Sequence, residues 1–278
     1  MEFTKLQATG NDFILIDARG FERDWSSLAG AMCDRRFGVG SDGLILMLPS
    51  EVADLRMRMF NPDGSEAEAC GNGLRCFARY ATEMAIVSSR ELRIETLGGV
   101  RAVSLLEDGT VQVSMGAPVF ARARIPMVVN GVETNADEPV VDFPLAISGE
   151  EILVDCVSMG NPHAVCFLDE PVEGFRLSEF GPRVEHHRAF PNRANFEVVD
   201  ASQRGHLEMR VWERGVGETL SCGSGACAVA VVSIRKGLCK SPVDIKLPGG
   251  VLSVSWNGEG EVLLSGPAEI VFTGDWRG

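Results

Sequence analysis

Leu55-Arg56-Met57-Arg58-Met59-Phe60-Asn61 returns, half a chain later, as Leu207-Glu208-Met209-Arg210-Val211-Trp212-Glu213. Both stretches alternate apolar and polar residues, the period of a half-buried strand. Cys70 follows Asn61 by nine residues and Cys222 follows Glu213 by the same nine, and each opens a Cys-Gly-x-Gly sequence, Cys70-Gly71-Asn72-Gly73 and Cys222-Gly223-Ser224-Gly225. The offset between the copies is 152 residues, about half the chain. Near the start of each half, Gly10-Asn11-Asp12-Phe13 and Gly160-Asn161-Pro162-His163 correspond at an offset of 150. The repeat is read as an internal duplication.

After each Cys-Gly-x-Gly the pattern turns helical. Leu74, Phe77, Ala78, Ala81 and Met84 fall at helical spacing, and 226–234 is small and apolar nearly all round, as in a buried helix. Short strands are expected at 91–96, 111–115, 243–247 and 262–264, punctuated by Pro62-Asp63-Gly64, Asp108-Gly109, Pro248-Gly249-Gly250 and Asn257-Gly258. Each half therefore reads as strand, loop, cysteine at a helix N-terminus, and a helix inside the domain. The halves are expected to meet near Gly116-Ala117-Pro118, giving domains 1–117 (with 266–278 returning to it) and 118–265, with a cleft between them.

The composition bounds the chemistry. The chain has 278 residues, 45% hydrophobic and 23% charged, with 39 acidic against 26 basic residues and a net charge of −13. That is an ordinary globular composition, long enough for two cores, and it excludes disorder and collagen-like repeats. With no basic tract, nucleic acid is not an expected partner, since phosphates are bound by Lys and Arg. No apolar run approaches the roughly 18 residues of a membrane span, and the start lacks a secretory pattern, so a cytoplasmic enzyme with a small-molecule substrate is expected. Eight cysteines in a reducing compartment do not imply disulfides, and no Cys-x-x-Cys pair suggests zinc. His186-His187 beside Glu185 is a poor metal cluster, because adjacent side chains diverge.

Two glycine-flanked cysteines at helix starts can do proton chemistry. A thiol there is expected to be lowered in pKa by the helix dipole. The exposed N–H groups of Gly71, Asn72, Gly223 and Ser224 form anion sites. If a substrate α-carbon lies between the sulfurs, one thiolate can remove its proton while the other thiol delivers one to the opposite face. Convergent N–H donors would stabilise the resulting enediolate, so no pyridoxal or metal is required. Arg214 offers a fork for a carboxylate and Glu213 a partner for an ammonium group. Asn11, Asn61, Asn161 and Asn195 form a candidate polar cage, and His163 could orient or relay protons.

Taken together, Gly10 to Phe13, Asn61-Pro62-Asp63-Gly64-Ser65-Glu66, Ala69 to Gly73, Met159 to His163, Glu213-Arg214-Gly215 and Glu218-Thr219 through Cys227 resemble the diaminopimelate epimerase family, end to end and in order. The resemblance implies an α/β (α+β) fold of two pseudo-symmetric domains, each a mixed, barrel-like sheet wrapped around a central helix. It implies cofactor-independent interconversion of LL- and meso-2,6-diaminopimelate in lysine and cell-wall precursor biosynthesis. By the same carry-over Cys70 and Cys222 are the acid/base pair, Gly71, Asn72, Gly223 and Ser224 hold the reacting carboxylate, His163 assists near the reacting centre, and Glu213 is counted with these as catalytic. Asn11, Asn61, Asn161, Asn195, Glu213 and Arg214 read the distal end. Gly43 stands where several members carry Gln, so no side-chain contact is expected from it. A homodimer is expected, with Phe272 in place of a tyrosine near the C-terminus. The alternatives are a proline or hydroxyproline racemase, which would not need Glu213 and Arg214, and a thiol redox module in which Cys70 and Cys222 join.

Overall fold

The helix that follows each Cys-Gly-x-Gly is largely buried, and in each half of the chain a mixed sheet wraps it. The computed structural model describes all residues except 68–69, 130–131, 134–136 and 203–204, so Ala69 of the quoted motif lies outside the described residues. The chain divides into one unit of Met1–Ser114 with Ser265–Gly278, and a second of Met115–Leu264.

The first unit runs β1 (Glu2–Ala8), β2 (Asn11–Asp17), α1 (Trp25–Cys33), β3 (Gly43–Leu48), β4 (Leu55–Phe60), β5 (Glu66–Ala67), α2 (Gly71–Glu83), β6 (Glu91–Thr96), β7 (Gly99–Leu105) and β8 (Val111–Ser114). β1 and β2 form a hairpin whose turn places Thr9 (φ 49°) and Gly10 (φ 81°) in the left-handed region. β2 pairs parallel with β3, β3 antiparallel with β4, and β4 both antiparallel with β5 and parallel with β6. Antiparallel β6–β7 and β7–β8 pairs complete the sequence. Leu74, Cys76, Phe77, Ala78 and Ala81 of α2 are almost wholly buried. The helix packs on β1, β2, β3, β4, β7, β8 and the C-terminal strand, which is the geometry of a sheet curled around it.

The second unit opens with the two-residue strands β9 (Val128–Val129) and β10 (Val132–Glu133) and then β11 (Val140–Ile147). It continues with β12 (Glu150–Ser158), β13 (Pro162–Leu168), α3 (Leu177–Glu185), β14 (Asn195–Asp200), β15 (Leu207–Glu213), β16 (Gly217–Thr219), α4 (Gly223–Arg235), β17 (Val243–Leu247), β18 (Gly250–Ser255) and β19 (Leu263–Gly266). Its pairings repeat those of the first unit: β12–β13 antiparallel, β13–β14 parallel, β14–β15 and β15–β16 antiparallel, β15–β17 parallel and β17–β18 antiparallel. The starts of α1 and α3, β3 and β14, α2 and α4, and β8 and β19 all differ by 152 residues. α4 is buried from Gly225 to Ser233 and packs on β12, β13, β14, β17 and β18. The last strand, β20 (Glu269–Asp275), pairs with β1 of the first unit.

Three boundaries differ from the sequence reading. β8 stops at Ser114, and β19 begins at Leu263 and runs on to Gly266. Helix α2 begins at Gly71 with Cys70 as its N-cap, the helix-start position the sequence reading gives that cysteine. The short helices α1 and α3 carry no repeat signature and were not expected. Among the described residues no helix is long and apolar enough to cross a membrane.

Candidate active site

Each cysteine caps a buried helix, and a cysteine can do so because its sulfur accepts the N–H that the first turn leaves unused. Cys70 is extended (φ −140°, ψ 117°) and its Sγ accepts from the Gly73 N–H at 3.4 Å. Cys222 repeats this with φ −127° and ψ 112°, its Sγ accepting from Gly225 N–H at 3.4 Å. The glycines three residues on are closely packed, Gly225 more tightly than Gly73. A Cβ on Gly73 would lie 3.3 Å from Ile45 Cδ1, and one on Gly225 would lie 2.9 Å from Glu197 Oε1.

In the first unit a polar chain leads from charged residues to the helix start. Asn72 Nδ2 donates to Asn11 Oδ1 (3.1 Å), Asn11 Nδ2 donates to Asp42 Oδ2 (2.6 Å), and Arg35 Nη2 donates to Asp42 Oδ1 (2.7 Å). Arg35 also binds Asp12, as does the buried Lys5. Burial pushes the Asp12 carboxyl up, but the hydrogen bonds from Arg35 and Lys5 outweigh it and bring it down to about 2. This network fixes which way the Asn11 amide points. Asn61 closes its own turn, with its backbone N–H donating to Ser65 O (2.8 Å) and its Nδ2 to Ser65 Oγ (3.0 Å). At Gly43 a Cβ would meet Met59 Cε at 3.0 Å and Phe60 O at 3.1 Å, so the glycine there is a packing requirement of the β3 start.

In the second unit the sequence-derived residues gather around α4. Ser224 Oγ lies 3.5 Å from Cys222 Sγ. Thr219 Oγ1 donates to Glu213 Oε1 at 2.5 Å, and the same carboxyl takes a hydrogen bond from the Cys222 thiol. Burial pushes the Glu213 carboxyl above its usual range despite those two donors. His163, with no exposed surface, has Nδ1 2.7 Å from Glu197 Oε1 and Nε2 2.9 Å from Asn161 Oδ1. Asn195 is a bridge: its Nδ2 donates to Pro162 O (3.0 Å) and its Oδ1 accepts from the Arg214 backbone N–H (2.9 Å). The exposed Arg214 guanidinium donates to Asn192 O at 3.2 Å.

One expectation is reversed. The helix N-terminus was expected to lower the thiol pKa, yet Cys222 is raised well above the ordinary cysteine value. Burial comes first, then the negative charges of Glu213 and Glu197, and the hydrogen bonds from Ser224 and Gly225 do not offset them. His186 Nδ1 lies 2.9 Å from Pro182 O, and Glu185 accepts from Trp212 Nε1 (2.8 Å) and Gly215 N–H (2.9 Å), which are structural duties. Among the described residues no group of three or more His, Cys, Asp or Glu side chains is placed to hold a metal ion.

The sequence reading missed Glu197 and Thr219. Glu197 could have been found through the repeat, because an offset of 152 sets it against Ile45, the lone acid in an otherwise apolar strand core against its apolar counterpart. Strand register extends the comparison: Phe13 faces Gly43 in the first unit as His163 faces Asn195 in the second. The two copies thus share a backbone plan, while Phe13, Ile45 and Asn61 are replaced by His163, Glu197 and Glu213 in the second.

The fold is that of a class of two-unit α/β proteins that includes a Bacillus anthracis phenazine biosynthesis protein of the PhzF family (TM-score 0.70, 18% identity, 98% of this chain and 97% of that one). A hydroxyproline epimerase from Agrobacterium vitis shares it too (TM-score 0.68, 17% identity, 99% and 91%). At those identities the likeness concerns the fold alone. Sequence carries the assignment further. The family model described as diaminopimelate epimerase matches residues 3–121 and 155–271. Diaminopimelate epimerases of Moorella thermoacetica and Desulforudis audaxviator are 47% and 48% identical, each over 99% of both chains. The chain belongs to the diaminopimelate epimerase family, a family of isomerases.

Proposed function

We propose that this chain interconverts LL- and meso-2,6-diaminopimelate by moving the α-proton, with Cys70 and Cys222 as the two proton-transfer groups and no cofactor. The observation that carries the reading is the duplicated cysteine cap: two thiols, each on the first turn of a buried helix and each hydrogen-bonded by the N–H three residues on, in a member of this family.

The chemistry follows from the groups. Cys222 keeps its proton in its buried, acid-flanked setting, so turnover in one direction begins with Cys70 as the acceptor. The Cα–H bond breaks as the Cys70 sulfur takes the proton, and its electron pair moves into the carboxylate to give an enediolate-like dianion. The Cys222 S–H then delivers its proton to the opposite face, and the configuration inverts. The reverse reaction exchanges the roles. N–H groups of Gly71, Asn72, Gly223 and Ser224 are the donors for the growing negative charge, and one such donor contributes about 3–4 kcal/mol. Glu213, held by Thr219, accepts the Cys222 thiol hydrogen bond and orients it. Asn11, Asn61, Asn161, Asn195 and Arg214 are assigned to the distal amino-acid end, and His163 to the vicinity of the reacting carbon.

The test is solvent-deuterium incorporation at the α-carbon of LL- and meso-diaminopimelate in metal-free, pyridoxal-free buffer, with proline as control. Incorporation into both diaminopimelates and none into proline is expected. Exchange into proline alone would favour a racemase of cyclic imino acids, and no exchange with diaminopimelate would overturn the reading. We also infer a cytoplasmic homodimer, with the exposed Phe272 of β20 in the contact.

A further inference from the structure

Glu197 and His163 form a hydrogen-bonded couple with no exposed side-chain surface on either partner. Burying a carboxylate is costly unless its lone pairs are satisfied. Oε1 meets His163 Nδ1, but Oε2 is buried and has no hydrogen-bond partner among the described residues. The fold does not need this acid. The corresponding position of the first unit is Ile45, which packs beneath Gly73 just as Glu197 lies beneath Gly225. A residue that costs stability where an isoleucine serves in the duplicate copy is retained for what it does to its neighbour.

That neighbour is His163. The ring sits between Val157 of β12 and Asn195 of β14, which are its register partners. Its two nitrogens are engaged from opposite sides, Nδ1 by Glu197 and Nε2 by the Asn161 side-chain oxygen. The first unit has no such relay, because its counterparts are Phe13, Ile45 and Asn11. We propose that Glu197 is a positioning residue: its carboxylate clamps Nδ1 of His163, fixes the rotation of the ring, and through Nε2 sets the orientation of the Asn161 amide. The inference rests on the reading that His163 and Asn161 serve the epimerisation. Its chemical content is a carboxylate–imidazole–amide relay built into one of two otherwise equivalent units.

Two variants of the full-length protein separate positioning from bulk packing. Glu197→Ile installs the residue of the duplicate copy and removes the clamp. Glu197→Gln keeps the shape and a hydrogen bond to Nδ1. The expected result is a fall in kcat of about tenfold or more for Glu197→Ile, as for loss of a charge-assisted hydrogen bond, with a smaller change in KM, and substantial recovery in Glu197→Gln. Nitrogen-15 spectra of the histidine rings give a readout that needs no substrate, and only four histidines have to be assigned. A hydrogen-bonded Nδ1 is expected at His163 in the parent and Gln proteins and not in the Ile protein. An Ile variant with parental kcat would overturn the proposal, as would a Gln variant equally impaired while its ring signature is intact. A parental His163 whose Nδ1 shows no hydrogen bond would overturn it too, whether or not the Ile variant folds and whether or not diaminopimelate is the substrate.

Discussion

At the scale of the residue, Cys70 and Cys222 occupy equivalent caps, and what differs is the charge around them. Cys222 has two carboxylates close by, Glu213 and Glu197, whereas Asn61 and Ile45 stand at the matching positions of the first copy. Burial and those charges favour the neutral thiol, so Cys222 is expected to resist iodoacetamide near neutral pH and to react only as the solution becomes strongly alkaline. Glu213→Gln removes the nearer negative charge. The thiolate should then form at lower pH, and alkylation of Cys222 should begin earlier on a series between about pH 7 and about pH 10. Peptide mass spectrometry reads the modified fraction, with the fully buried Cys76 as an internal reference. Superimposable profiles for the two proteins would mean that Glu213 has no electrostatic part in setting the thiol.

At the scale of the element, the first turns of α2 and α4 look interchangeable in sequence but are packed differently. An added methyl at Gly73 would press on Ile45 Cδ1 at 3.3 Å and Met59 Sδ at 3.4 Å, the ends of flexible side chains. At Gly225 it would press on Glu197 Oε1 at 2.9 Å, and that oxygen is held by His163. Gly225→Ala should therefore destabilise the protein by about 1–3 kcal/mol. Gly73→Ala should cost less, since its crowding falls on side-chain ends that can shift by a few tenths of an ångström, while the helix preference of Ala over Gly, about 1 kcal/mol, is the same at both positions. Urea midpoints for both variants measure the difference, and a Gly225→Ala protein as stable as its parent would contradict the close approach of Glu197 to this turn. These two helices were legible because periodicity and the Cys-Gly-x-Gly start coincide. Helix α3 was not, since it contains Pro182 and a glycine, Gly181, whose absent side chain admits the Trp212 ring. That contact joins distant stretches of chain, and local pattern does not encode it.

At the scale of the whole molecule, the repeat made the backbone plan readable and concealed the asymmetry laid over it. Residues conspicuous as motifs, such as Cys70, Cys222, His163, Glu213 and the asparagines, were visible because each sits beside a glycine, a proline or a duplicated strand. Glu197 and Thr219 were not, because their contribution depends on which strand neighbours face them. The expected thiol pKa failed for the same reason: a helix end is a sequence feature, while the carboxylates facing it come from β14 and β15. The exposed end of the fold supports one more expectation. Among the described pairings β20 is bonded only to β1, and it leaves Val271 and Phe272 at 55% and 47% exposure. Adjacent exposed apolar residues on an edge strand are where a second copy is expected to dock. In a two-fold interface Phe272 counts twice, and because about half of each ring is already covered, burying the rest of both is worth about 1.5–3 kcal/mol. Phe272→Glu should accordingly weaken self-association by roughly one to two powers of ten. Light scattering across a dilution series reads this directly. A parent protein that is already monomeric at micromolar concentration, or a variant that dimerises as tightly as its parent, would exclude this strand as the contact.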